Sequence, residues 1–192
     1  MKTIKMTQLA VALMLVTLGL TVPYALGVAH ALTTISFHLA PASVGVANCL
    51  GDDAKGDVTV LHKEDTLGVD TLHLDARGLP ADTDFAVFLT SADSFATPAF
   101  GTAEYIGDFT TNAAGIGSLK VDAIIAEAFV STPGTPRGRA DLDHLVFWFA
   151  DQDQFKAVCG VTAQTPFDGD GEAGLAAMSS QGQTGLEEFP PQ

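Results

Sequence analysis

Asp57-Val58-Thr59-Val60-Leu61-His62-Lys63 and Val69-Asp70-Thr71-Leu72-His73-Leu74-Asp75-Ala76 are two runs whose apolar residues recur at every second position. A period of two marks a strand with one buried face. Val58 and Val60 belong to the inward face of the first run, and Leu72, Leu74 and Ala76 to that of the second. For both sets to meet one core, directly opposed partners must have residue numbers of like parity. A three-residue loop, Thr66-Leu67-Gly68, meets that condition and puts glycine at the left-handed position such loops need. In this register His62 points to the core, while His73 points out with Thr59, Lys63 and Asp75.

The same logic repeats downstream. Phe109 opposite Leu119 implies a loop Ala113-Ala114-Gly115 and sets Asp108 against Lys120 outside, a cross-strand ion pair. Further runs rich in Val, Ile, Thr, Leu and Phe predict strands near 33–39, 44–49, 84–91, 103–111, 117–123 and 144–150. The last, His144-Leu145-Val146-Phe147-Trp148-Phe149-Ala150, is apolar on both faces, which predicts a central strand covered twice. Asp122 can cap a helix carrying Ile124, Ile125, Ala128 and Phe129 on one side, ended by Ser131-Thr132-Pro133-Gly134-Thr135-Pro136. The expected architecture is all-β: an antiparallel, Greek-key-like β-sandwich of seven or eight strands with one short helix, spanning residues 32–163. Residues 164–192, rich in Gly, Gln, Ser and Pro, are expected to be a loose, partly ordered tail with Leu175–Met178 and Leu186–Phe189 as apolar anchors.

Arg77-Gly78-Leu79-Pro80-Ala81-Asp82-Thr83-Asp84-Phe85 resembles the crossover of fibronectin type III-like and other immunoglobulin-like sandwiches. There a leucine plugs the core and a tyrosine clamps the loop through its hydroxyl. Phe85 stands at the aromatic position here, so that hydrogen bond is missing. Ile106-Gly107-Asp108-Phe109-Thr110-Thr111-Asn112 with Gly115 is similar to a hairpin of exported bacterial sandwich proteins of no assigned function. Both resemblances concern fold and bring no catalytic residue with them.

The first 31 residues read as a secretory signal. Lys2 and Lys5 form a positive head, Leu9–Val22 is a 14-residue apolar stretch broken only by Thr17, Gly19 and Thr21, and Pro23 ends it. That stretch is shorter than the roughly 20 residues of a membrane-spanning helix. Cleavage is expected after Ala31 of Ala29-His30-Ala31, with Gly27 of Ala25-Leu26-Gly27 as the alternative. The protein is then secreted or periplasmic. Without Lys2 and Lys5 the chain keeps seven basic residues against 23 acidic ones, a net charge of −16. Such a charge repels nucleic acid and anionic membrane, which leaves an extracellular ligand or protein as the partner class.

Cys49 and Cys159 are the only cysteines, and in an oxidising compartment they are expected to pair. The candidate cofactor is calcium. Asp151 and Asp153 follow the aromatic strand, and Asp168, Asp170 and Glu172 present carboxylates at alternate positions, although Ala173 and Ser179 break the EF-hand pattern. Trp148 is the candidate aromatic platform for a sugar. No histidine pair at metal-ligand spacing and no nucleophile motif is present, so no catalytic residue is assigned. The expected function is a non-catalytic secreted binding or surface-associated module, the alternative an extracellular hydrolase of polysaccharide or peptide.

Overall fold

A computed structural model describes residues 32–63, 69–91, 101–130, 138–142, 144–163 and 173–180. In chain order the elements are β1 (Leu32–Pro41), α1 (Val44–Leu50), β2 (Lys55–Lys63), β3 (Asp70–Arg77), β4 (Asp84–Thr90), β5 (Ala103–Thr110) and β6 (Gly117–Ala123). They continue with β7 (Ala126–Val130), β8 (Gly138–Leu142), β9 (His144–Phe149), α2 (Gln152–Cys159) and β10 (Ala176–Ser179). Eight strands form one antiparallel sheet in the order β5-β4-β9-β10-β1-β2-β3-β6, and β7 pairs with β8 in a separate ribbon.

The end strands of the large sheet, β5 and β6, come alongside each other, so the sheet is nearly closed like a barrel rather than split into two distinct layers. Glycines permit this approach. A Cβ on Gly107 would lie 3.0 Å from Leu119, and one on Gly117 would lie 2.5 Å from the Phe109 ring. Inside, Phe37, Val58, Val60, Leu72, Leu74 and Phe147 belong to one core that runs through the whole sheet. Ala86, Phe88, Val146, Trp148 and Ala176 form a second cluster, on the opposite face of β4, β9 and β10. Every residue of β9 is buried, as its apolar faces predicted.

The β2–β3 pair puts its residues on the expected faces. Val58 opposes Leu74 and Val60 opposes Leu72. Its register differs by two residues, since Leu61 meets Thr71 where a loop at 66–68 would set it opposite His73. The loop itself lies outside the described residues. At the second hairpin the three-residue turn is as expected: Asn112 N donates to Ile116 O at 2.9 Å, and Gly115 has φ +70°. Asp108 does not pair with Lys120 but accepts the hydroxyl of Tyr105. That bond, and burial after it, push the Tyr105 hydroxyl up to about 12.

Two expectations are corrected. Residues 44–50 are helix α1 and not a strand, because Ser43 caps them by accepting from Val46 N at 3.2 Å. The helix expected after Asp122 is instead the end of β6 followed by β7. Ile125 is buried and Ile124 exposed, the alternation of extended chain. Within the tail, where Leu175–Met178 was expected as an apolar anchor, Ala176–Ser179 form β10, which lies between β9 and β1 with all four residues buried. Ala176, Ala177 and Met178 are too short an apolar run to announce a strand.

The crossover loop 78–83 is clamped, though not by an aromatic hydroxyl. Thr111, 2% exposed, donates from Oγ1 to Pro80 O at 2.6 Å and accepts from Thr83 N at 3.0 Å. Thr111→Val keeps the shape and strips both bonds. It is expected to cost about 1–3 kcal/mol, because a buried carbonyl and a buried N–H lose their partner. Urea unfolding checks this; an unchanged midpoint would remove Thr111 from the clamp.

Candidate ligand-binding face

Strand alternation turns one set of side chains from β1, β2, β3 and β6 away from the core, and register aligns them in ranks. Thr34, Leu61, Thr71 and Asp122 form the first rank; Ser36, Thr59, His73 and Lys120 the second. His38, Asp57, Asp75 and Ser118 form the third, and Lys55 opposite Arg77 closes the row. Neighbours along these ranks bond to each other. Ser36 Oγ and Thr59 Oγ1 are 3.3 Å apart, and Thr71 Oγ1 donates to Asp122 at 2.5 Å. His73 Nε2 lies 3.5 Å from Asp75 Oδ1, an exposed pair that adds little stability.

The third rank carries the most charge. Asp57 and Asp75 sit directly opposite each other, which by itself is repulsive. Asp57 offsets this by accepting from His38 Nδ1 at 2.6 Å and from Arg77 Nη1 at 2.5 Å. Burial alone would raise the Asp57 carboxyl; the hydrogen bonds and charges of Arg77 and His38 outweigh it and hold it below its ordinary value. His38, Leu39, Lys55, Gly56, Asp57 and Arg77 line a pocket of about 350 Å³. The pocket lies where β1 leaves β2, after the Leu39–Gly56 pair, and joins β10 at Ala40.

The residues singled out in the sequence lie elsewhere. Cys49 at the end of α1 and Cys159 at the end of α2 form the expected disulfide, with Cα atoms 5.0 Å apart. Asp151 is the N-cap of α2, its Oδ1 accepting from Asp153 N at 2.5 Å and Gln154 N at 3.2 Å. Asp153 stands exposed in the first turn of that helix. These two carboxylates therefore begin a helix instead of lining an open loop. Asp168, Asp170 and Glu172 lie outside the described residues, among which no group of three or more His, Cys, Asp or Glu is placed to hold a metal ion. Trp148 is 1% exposed and meets the Phe88 ring edge-on at 5.2 Å, so its faces are packing surfaces and offer no sugar platform.

His62 points inward as expected, with Nδ1 3.0 Å from the fully buried Asp70. Both are too enclosed to meet a ligand. His144 begins β9 opposite Thr90, and His38 on β1 pairs with Asp57. Helix α2 is locked onto β4 by Gln154, which accepts from Asp84 N at 2.9 Å and donates to Asp84 Oδ2 at 3.0 Å. Hydrogen bonds from Thr110 and Gln154 hold the Asp84 carboxyl below its ordinary value against the opposing effect of burial.

The His38–Asp57–Arg77 group was not singled out in the sequence. Its only signal there is that His38 and Asp57 would face the same way if β1 pairs with β2, and α1 interrupts that hairpin. No protein-family model, curated protein or solved structure matches the chain.

Proposed function

We propose that the chain is an exported, non-catalytic β-sandwich module of immunoglobulin-like type that recognises an extracellular ligand through the outward face of β1, β2, β3 and β6. The observation that carries this reading is a face of polar side chains in register: Lys55, Arg77, Lys120, His38 and His73 alternate there with Asp57, Asp75 and Asp122. An exposed sheet of hydroxyls, imidazoles and balanced charges presents many hydrogen-bonding groups in fixed register, which is what recognition of a polar surface needs. The secretory signal, the disulfide and the acidic composition support export, because paired cysteines persist in oxidising compartments. Calcium enters the proposal through Asp168, Asp170 and Glu172.

A second reading has one observation in its favour. The 2.6 Å contact of Asp57 with His38 Nδ1 leaves Nε2 facing out, the orientation of a general base steered by a carboxylate. That geometry supports the hydrolase alternative. The two readings separate in one experiment. The secreted protein is applied to an array of extracellular polysaccharides and peptides, beside Thr59→Arg and His73→Ala variants of the middle rank. Retention lost in both variants supports the module, and retention unchanged in both overturns this face as its site. Product release that disappears in His38→Asn would favour the hydrolase. Melting the same protein with and without millimolar calcium tests the metal: a raised midpoint supports it, an unchanged one removes it.

A further inference from the structure

The pocket at the β1 switch holds more positive charge and more unused donors than its own carboxylate can satisfy. Asp57 takes one guanidinium N–H of Arg77 and the Nδ1 of His38. A guanidinium offers five N–H donors and an ammonium three. Lys55 makes no hydrogen bond or ion pair among the described residues, and Arg77 makes none there beyond Asp57. Lys55 and Arg77 thus line the concavity with one carboxylate, Asp57, whose cross-strand neighbour Asp75 stands outside the lining. Arg77 is held by one Nη1 contact to Asp57, which leaves the remaining guanidinium N–H donors without a partner among the described residues.

We infer that this pocket binds the oxyanion of a small soluble molecule, a carboxylate, sulfate or phosphate group held by Arg77 and Lys55, with the body of the ligand against Leu39 and Gly56. The inference rests on the recognition-module reading and names the ligand class of one corner of that face. The pocket volume is at the lower end for small-molecule sites and exceeds what a bare oxyanion fills. A fork and a nearby ammonium together suit planar and tetrahedral oxyanions alike.

The ionised Asp57 can only accept, so Nδ1 of His38 is the donor in their bond, and Asp57 is engaged by His38 and Arg77 together.

The test is calorimetric titration of the secreted protein at low ionic strength with glucuronate, inorganic sulfate and inorganic phosphate, and with glucose as the neutral control. Wild type is expected to bind the three anions and not glucose. Arg77→Gln should weaken binding at least tenfold and Lys55→Gln several-fold, while Lys156→Gln, on the exposed side of α2, changes it less than twofold. Both pocket residues are exposed, so the variants should melt with wild type. Equal anion binding by wild type and Arg77→Gln overturns the inference, as does a loss in Lys156→Gln as large as in Arg77→Gln. If that happens while array retention still depends on Thr59 and His73, the pocket has failed and the module reading stands.

Discussion

Replacing Cys49 and Cys159 together by serine is expected to lower the unfolding free energy by about 4–5 kcal/mol, the chain-entropy value for closing a loop of this length. The sequence separation is 110 residues, so most strands of the sheet lie inside that loop. The loss equals much of the 5–15 kcal/mol by which ordinary domains are stable, and it corresponds to a fall in melting temperature of roughly 10–20 °C. Part of the effect should be local. Helices α1 and α2 have only seven and eight residues, lengths that do not hold a helix in isolation. The disulfide joins their ends, while Val46 and Phe155 anchor them in the core. Thermal melting with and without reductant, beside the double serine variant, measures the effect. Equal midpoints in all three samples would show that the two helices dock without the bond.

Phe85→Ala is expected to cost about 3–5 kcal/mol. Phe85 is fully buried on β4, with Phe109 of β5 on one side and Phe149 of β9 on the other, both in direct register. Its ring centroid lies 5.2 Å from that of Phe109 and 5.0 Å from that of Phe149, and Phe147 meets it edge-on at 5.2 Å. Removing it takes the middle ring from three abreast and opens a cavity that strand backbones cannot close. Phe85→Leu, which refills most of the volume, should cost clearly less. Urea unfolding followed by near-ultraviolet circular dichroism reads both variants. A loss below about 1 kcal/mol for the alanine variant would mean that the ring cluster does not hold these strands together.

What could be read from the sequence divides along physical lines. The β2 and β3 faces were legible because each strand is buried on one side only, so its residues alternate visibly. The turn at Gly115 was legible because its left-handed backbone restricts residue type. Helix α1 was not, since Val44-Gly45-Val46 has the local preferences of a strand and the helix is settled by its cap and by Cys159. Residues 124–129 misled in the other direction. Ile124, Ile125 and Phe129 fit a helical face, yet only Ile125 of the two adjacent isoleucines is buried. The loop 78–83 is held by Thr111, 26 residues beyond Phe85, a tertiary contact without a local pattern. The pocket escaped for the same reason: it depends on β1 changing partners between Leu39 and Ala40.

The position of β10 bears on the order in which the protein can be completed. Ribosomes deliver residues 176–179 after all the other described strands, yet this segment lies in the middle of the sheet, pairing with Trp148, Phe147 and Val146 on one side and Ala40 and Pro41 on the other. Until it arrives, β9 and the end of β1 are two raw edges bordering a gap one strand wide. Such a gap accepts any extended segment, including the same segment from another copy. The sheet thus stays unsealed through most of synthesis, and the four buried residues Ala176 to Ser179 that fill the gap also occupy the edges a neighbouring chain would use.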